Sequence, residues 1–309
     1  LSDPGIVFAG TPDFALASLS ALVDAEHNVI AVYTQPDRPA GRGRKLTASA
    51  VKRFAQDNGI RVMQPETFRD AEAAEQLAAL EPDIMIVAAY GLILPQNVLD
   101  IPAQGCLNVH ASKLPRWRGA APIQAAILAS DPATGVSLMA MTAGLDSGPV
   151  FRDQSIDIGA DENAGELHDR LAALGAQLLI TSLPAILEGT MNAEQQDESL
   201  ACYAPKIAKQ DALLDWSLSA AECHRRVRAY NPAPGAYFFA GRDGEATRVK
   251  VWQATPVAGV SATPGTFVQY DAEAIVVACG QDGLRLESLQ APGKRRALAH
   301  EFVSQLDLR

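Results

Sequence analysis

A chain of 309 residues, 48% hydrophobic and 20% charged, has room for two domains and the make-up of a globular protein. No apolar run approaches the roughly 18–20 residues of a membrane span, and no basic region followed by an apolar stretch opens the chain, so no membrane association is expected and the cytoplasm is the expected compartment. A net charge of −10 speaks against indiscriminate nucleic-acid binding, and four scattered cysteines (Cys106, Cys202, Cys223, Cys279) without a Cys-x-x-Cys pair speak against a disulfide framework and a metal site.

In chain order, Ile6–Ala9 reads as a buried strand, with Thr11 as cap and Pro12 in the first turn of the next helix. Val29–Thr34 is a second strand, and Gln35–Leu46, with two prolines and two glycines, a long loop. A helix follows over about 47–58, ended by Gly59, then a weak strand at Arg61–Met63 and a helix over Ala71–Leu80. Ile84–Ala89 and Cys106–His110 are strands and Ala120–Ala129 a helix. Val136–Met141 and Val150–Ile158 form two more strands, and residues 161–188 a helix with leucines at helical spacing. Strands alternating with helices imply an α/β fold, a mostly parallel Rossmann-like sheet covered on both faces, with ligands at the carboxyl ends of its strands. Residues 190–206 are polar and irregular and read as a linker between a first domain at 1–189 and a second at 207–309.

The second domain opens on a capping box, Ser219 with Glu222, on a helix that stops before Asn231-Pro232. Short β runs follow at Ala236–Ala240, Val249–Gln253, Thr266–Tyr270, Ile275–Cys279 and Leu284–Leu289, separated in part by Asp-Gly and Pro-Gly turns. They read as a small β-barrel of the oligonucleotide-binding type. Charge divides along the same boundary: residues 1–206 carry 14 Lys/Arg against 25 Asp/Glu, and residues 207–309 carry 12 against 11. Inside the acidic part, Arg38, Arg42, Arg44, Lys45, Lys52 and Arg53 share 16 residues with no acid, a basic stretch suited to phosphates or simply to solvent.

Asn108-Val109-His110, with Asp146 inside Gly144-Leu145-Asp146-Ser147-Gly148, is the constellation that carries chemistry. An amine attacking a formyl carbonyl loads charge onto the carbonyl oxygen; an Asn amide and a protonated imidazole stabilise it, and an Asp beside the imidazole moves the amine's proton. Spacing alone leaves the alternative open that all three are turn residues.

The longer segments resemble folate-dependent formyltransferases. They are Asn108–Pro115 running into Arg116–Ile123, Tyr90-Gly91-Leu92-Ile93-Leu94-Pro95, and Gly144–Gly148. Phe8–Phe14, Thr34–Gly43, Tyr203–Lys206, Asp215–Ser217 and Asn231-Pro232 extend the resemblance, toward the branch that acts on methionyl-tRNA, over about residues 5–300. It implies formyl transfer from 10-formyltetrahydrofolate to the α-amine of methionyl initiator tRNA, by direct amine attack through a tetrahedral intermediate, in a monomer without metal. By resemblance, Asn108, His110 and Asp146 are catalytic. Ser112, Lys113, Leu114 and Pro115 contact folate, and Tyr90, Gly91, Leu92, Ile93 and Leu94 line the pterin pocket. Arg38, Arg42, Arg44 and Lys45 meet the acceptor end of the tRNA, and Lys206, Arg225 and Arg228, with Arg226, Lys250, Arg295 and Arg296, are further phosphate contacts or ordinary surface charge. Lys113 departs from the family's usual leucine, turning either to solvent or to the glutamate tail of folate. Ala233 stands where a tryptophan is common, and the chain stops near the usual end. The competing readings are formyl transfer to a small amine, such as a nucleotide sugar or purine precursor, and an RNA-binding module without catalysis.

Overall fold

Ile6–Gly10 (β1) is apolar at every position and buried at every position, as a strand covered on both faces must be. It lies inside a seven-stranded sheet, flanked on both sides by other strands, in a computed structural model that describes residues 3–40, 45–241, 246–270 and 274–302. Those residues divide into two compact units. The first takes Leu1–Pro122, Thr134–Ile156 and His168–Ala204, and the second Ile123–Ala133, Asp157–Leu167 and Pro205–Arg309.

In the first unit, helix α1 (Asp13–Asp24) connects β1 to its parallel neighbour β2 (Val29–Tyr33). Pro12 caps α1 with no side-chain bond; the Thr11 hydroxyl, expected as the cap, instead donates to the Tyr90 carbonyl 3.1 Å away. The expected loop after β2 contains a short antiparallel pair, β3 (Arg38–Ala40) and β4 (Lys45–Thr47). Helix α2 (Ala50–Asp57) starts later than expected because Ser49, not an earlier residue, caps it by accepting from the Lys52 N–H. Then come β5 (Val62–Met63), α3 (Ala71–Ala78), β6 (Ile84–Ala88), α4 (Gln96–Leu99), β7 (Cys106–His110) and β8 (Arg118–Gly119). Helix α5 (Pro122–Leu128), which from Ile123 on belongs to the second unit, β9 (Ala133–Ala140), β10 (Val150–Asp157) and α6 (Ala164–Leu187), whose first turn also belongs to the second unit, follow in chain order. The sheet order is β10-β9-β7-β6-β1-β2-β5, parallel from β7 to β5, with β9 antiparallel to β7. With 24 residues and a mean hydropathy of 1.5, α6 is long and apolar enough to cross a membrane, but Leu167, Leu171, Leu178, Leu179 and Leu183 on it are buried inside the protein. The stretch expected as a linker holds a 3-10 turn at Glu198–Leu200 and β11 (Tyr203–Ala204), which pairs with β8.

In the second unit, α7 (Ala220–Ala229) carries the capping box that Ser219 and Glu222 announce. It packs against a curled antiparallel sheet, a half-barrel: β12 (Tyr237–Ala240), β13 (Thr247–Val257), β14 (Phe267–Tyr270), β15 (Ile275–Ala278), β16 (Gly283–Gln290) and β17 (Ala297–Leu298). The order is β12-β13-β16-β15-β14, with β17 on β16. β13 is longer than its sequence pattern predicts; register shifts on both sides of Gln253 hide the alternation and bend the strand. The curl brings Phe238 of β12 within 6.2 Å of Phe267 of β14, ring centre to ring centre, although their strands stand at opposite edges.

Candidate active site

Asn108 and His110 are two residues apart on β7 and so share a face of the sheet. They are buried, 8% and 6% exposed. The loop between β9 and β10 folds back over them and places Asp146 at their side chains. Its Oδ1 lies 3.5 Å from Asn108 Nδ2 and its Oδ2 3.8 Å from His110 Nδ1, while Oδ2 also accepts from the Gly119 N–H at 2.8 Å. The loop closes this tightly because position 148 is glycine; any side chain there would collide with the Ala140 carbonyl. Asp146 itself holds φ of 47°, a left-handed conformation that an aspartate tolerates better than most residues.

His110 Nε2 is 3.1 Å from the Trp117 carbonyl, which can only accept, so the Nε2 proton is committed there. Nδ1 is the ring atom left to meet a reactant, with the Asp146 carboxylate beside it. Amide, imidazole and carboxylate therefore converge, two of them buried on the strand and the third half-buried on the loop above it.

The segment from Ser112 to Pro115 is held from within. The Ser112 hydroxyl is fully buried and donates to the Arg116 carbonyl at 2.7 Å, so it is engaged inside the loop and not presented outward. Ser137 on β9 accepts from the Leu114 N–H and donates to the Ser112 carbonyl. Leu114 is buried, Pro115 half-buried, and Lys113 is exposed with its ammonium 3.4 Å from Asp153 on β10.

The Tyr90–Leu94 segment leaves the carboxyl end of β6. Tyr90 is buried, and its ring meets Phe68, which meets Tyr33. Burial raises the Tyr33 phenol to about 12 and pushes the Tyr90 phenol higher still. The Tyr90 carbonyl accepts from Thr11 and from the Gln35 side chain at 2.9 Å, which ties the ends of β1, β2 and β6 together. Gly91 and Leu92 follow, Leu94 turns inward, and Ile93 stands 82% exposed.

Gln35 continues into the base of the β3–β4 pair. Its carbonyl accepts from Gln64, whose amide also donates to Asp37, and Lys52 donates to both Asp37 and Gln64 at 2.7 Å. The bonds from Lys52 and Gln64 hold the Asp37 carboxyl below its usual range. Arg38 and Lys45 are exposed above this base, while Arg42 and Arg44 lie outside the described residues. Lys206 is exposed. Two arginines of α7 are bonded to backbone carbonyls: Arg228 donates to those of Gly159 and Glu162, Arg226 to that of Asp211, and burial lowers the Arg228 guanidinium. Arg225 is half-buried on the same helix. Around Trp252, Lys250 and Arg296 sit 5.1 and 5.5 Å from the ring, and Arg295 pairs with Glu301.

Sequence reasoning missed the polar residues that support the site. Thr11 and Gln35 fix the Tyr90 carbonyl; Arg118 and Gln196 stand behind Asp146. Gln196 sits in an irregular polar stretch that announces nothing, and Arg118 reads as one more basic residue beside Trp117.

A mostly parallel sheet thus carries a buried amide and imidazole on one strand face, with a half-buried carboxylate on the loop above them, the setting of a group-transfer enzyme. The chain belongs to the formyl transferase family: the family described as Formyl transferase matches residues 5–183, and Formyl transferase, C-terminal domain, matches residues 206–306. Among curated relatives, a methionyl-tRNA formyltransferase of Pseudomonas paraeruginosa is 52% identical over 93% of this chain and 91% of its own length. One from Coxiella burnetii is 50% identical over 97% of this chain and 94% of its own. Solved structures with the same fold include HypX from Aquifex aeolicus in complex with tetrahydrofolic acid. It has a TM-score of 0.67 and 16% identity over 98% of this chain and 47% of that one. WlaRD, a sugar 3N-formyl transferase, has a TM-score of 0.69 and 16% identity over 96% of this chain and all of that one.

Proposed function

We propose that this protein transfers the formyl group of 10-formyltetrahydrofolate to the α-amine of methionyl initiator tRNA. The observation that carries the acceptor is identity of about half, sustained across more than nine-tenths of both chains, to relatives named for that reaction. Sugar formyltransferases share the fold at 16% identity, which speaks for architecture and not for a sugar substrate.

The folate supplies an electrophilic formyl carbon. Exposed Ile93, on the loop leaving β6, and exposed Leu145, on the loop leaving β9, are apolar surfaces suited to covering a flat ring. The backbone of Tyr90–Leu94 and of Ser112–Pro115 would hold it, since Ser112 offers no free hydroxyl and Lys113 turns to Asp153. Asn108 has a second amide N–H beyond the one near Asp146, and it stabilises the oxygen that gains charge. His110 acts through Nδ1, as a donor to that oxygen when protonated and as an acceptor of the amine's proton when neutral. Asp146 keeps the ring oriented and stabilises the positive charge on it while the amine's proton passes to the folate nitrogen, whose bond to the formyl carbon breaks as the new C–N bond is completed. The β3–β4 pair, with Arg38, Arg42, Arg44 and Lys45, meets the acceptor end of the tRNA, and the second domain rests on its backbone. The domain boundaries follow the same assignment: 1–189 catalytic, 190–206 connecting, 207–309 tRNA-binding.

Formylation of charged initiator tRNA with added 10-formyltetrahydrofolate tests the reading. His110→Ala is expected to lose about 10²–10³ in kcat while tRNA affinity, measured by filter binding, is kept. No product from wild-type protein, or product only with a nucleotide sugar, overturns the proposal; loss of tRNA binding in His110→Ala overturns the role given to the imidazole.

A further inference from the structure

We infer that Gln196, clamped by Arg118, is a positioning residue that sets where the Asp146 carboxylate stands. The inference rests on the role proposed for Asp146, and three observations lead to it.

A single Gln196 Nε2 donates to the Asp146 carbonyl at 2.9 Å and to the Gly148 carbonyl at 2.7 Å. These two bonds straddle the turn in which Asp146 has φ of 47°. The backbone of the residue that carries the carboxylate is therefore held by a side chain 50 residues away in sequence. At the other end of the amide, Oε1 accepts from Arg118 Nε at 3.0 Å and from Arg118 Nη2 at 2.9 Å. A guanidinium only donates, so the amide has one orientation: its oxygen must face Arg118 and its nitrogen must face the loop.

Arg118 is itself fixed. It is 1% exposed, Nη1 and Nη2 donate to the two Glu198 oxygens at 2.9 and 2.8 Å, and that carboxylate raises the guanidinium above its ordinary value. The next residue, Gly119, donates its N–H to Asp146 Oδ2. One strand, β8, therefore grips Asp146 twice, directly at the carboxylate and through Gln196 at the backbone. Its partner strand β11 approaches so closely that a Cβ at Gly119 would lie 2.7 Å from the Ala204 carbonyl oxygen.

The chemistry depends on this grip because Asp146 stands 3.8 Å from His110 Nδ1 and 3.5 Å from Asn108, distances that a shift of the loop would open. A misplacement of about 1 Å away from the reacting atoms can cost on the order of 10²-fold in rate. Gln196 touches no reactant position; it acts through Asp146.

Two substitutions separate this from ordinary structural support. Gln196→Ala removes both loop bonds. Gln196→Glu keeps the size and strengthens the link to Arg118, but it turns an oxygen, not an N–H, toward the two carbonyls. Both variants are expected to lower kcat for formylation of charged initiator tRNA by about 10- to 100-fold, with KM for tRNA and for 10-formyltetrahydrofolate within about twofold of wild type. In an Asp146→Asn background, Gln196→Ala is expected to add less than about threefold, because the group it positions is already gone. Imidazole ¹⁵N spectra of His110 give a reading that needs no turnover: Gln196→Ala should move the Nδ1 resonance in the direction that Asp146→Asn does. Undiminished kcat in Gln196→Glu, full additivity with Asp146→Asn, or an unmoved Nδ1 resonance overturns the inference. If wild-type protein formylates no tRNA, the proposed function fails while the ¹⁵N comparison still decides the positioning of Asp146.

Discussion

Lys113 shows how one side chain can be judged against its surroundings. Its place in the segment proposed to hold folate would allow its ammonium to meet the glutamate tail of the co-substrate. In the structure that ammonium lies 3.4 Å from Asp153, with more than half of the lysine side chain exposed. An exposed pair of this kind contributes roughly 0–1 kcal/mol. Lys113→Leu is therefore expected to change unfolding free energy in urea by less than about 1 kcal/mol, and to leave folate affinity, measured calorimetrically, unchanged. A tenfold loss of folate affinity would show that the ammonium leaves Asp153 to meet the ligand. Ser112 teaches the reverse lesson: a hydroxyl that looks like a ligand contact is buried and bonded to Arg116. Polar side chains in the site thus divide into those with a free edge toward a reactant, such as Asn108 and His110, and those whose bonding is complete within the loop.

At the scale of elements, the β3–β4 pair is the least expected feature and the one with the most explicit support. Two prolines and two glycines make its sequence read as loop, and only the Asp37–Lys52–Gln64 cluster beneath it shows why a pair of short strands can stand there. Lys52 comes from α2 and Gln64 from just after β5, so the contacts are long-range and leave no periodic trace in the sequence. The strands of the parallel sheet were legible for the opposite reason: burial on both faces imposes an unbroken apolar run, as in Ile84–Ala88. Asn108, His110 and Asp146 were legible as a pattern of residue types, whereas Thr11, Gln35, Arg118 and Gln196 were not, because a supporting residue is defined by what it touches. Lys52→Met removes the cation and is expected to quicken tryptic cleavage within 38–47 and to raise KM for tRNA while leaving folate affinity intact. Acid should act in the same direction. Asp37 is held below its ordinary value, so its contribution is present above about pH 4 and fades as pH falls through the depressed value. Protection of the β3–β4 pair from a protease active in acid should therefore fall with pH in wild type and fall less steeply in Lys52→Met, where only the Gln64 bond still holds the Asp37 carboxylate. Equal cleavage rates in the two proteins at neutral pH would show that the cluster does not hold the hairpin.

Charge is the property of the whole molecule that most shapes its dealings with a polyanion. A chain of net −10 meets tRNA only through local basic surface, and residues 207–309, net +1 on formal count, dilute the repulsion without supplying a strongly positive domain. The structure narrows which cations are available. Arg226 and Arg228 are bonded to backbone carbonyls, and Arg228 is depressed by burial, so α7 uses its arginines to hold Asp211, Gly159 and Glu162 in place. Arg38, Lys45 and Lys206 are exposed. Each exposed cation that meets a phosphate releases condensed counterions, so its removal should reduce the slope of log affinity against log salt by about 1. Titration of initiator tRNA at several salt concentrations is therefore expected to show a shallower slope for Lys45→Ala and Lys206→Ala. Arg228→Gln is expected to keep the wild-type slope and instead to lower the thermal midpoint, because it strands the Gly159 and Glu162 carbonyls. A reduced slope in Arg228→Gln with an unchanged midpoint would mean that the guanidinium leaves the Gly159 and Glu162 carbonyls to meet the RNA backbone.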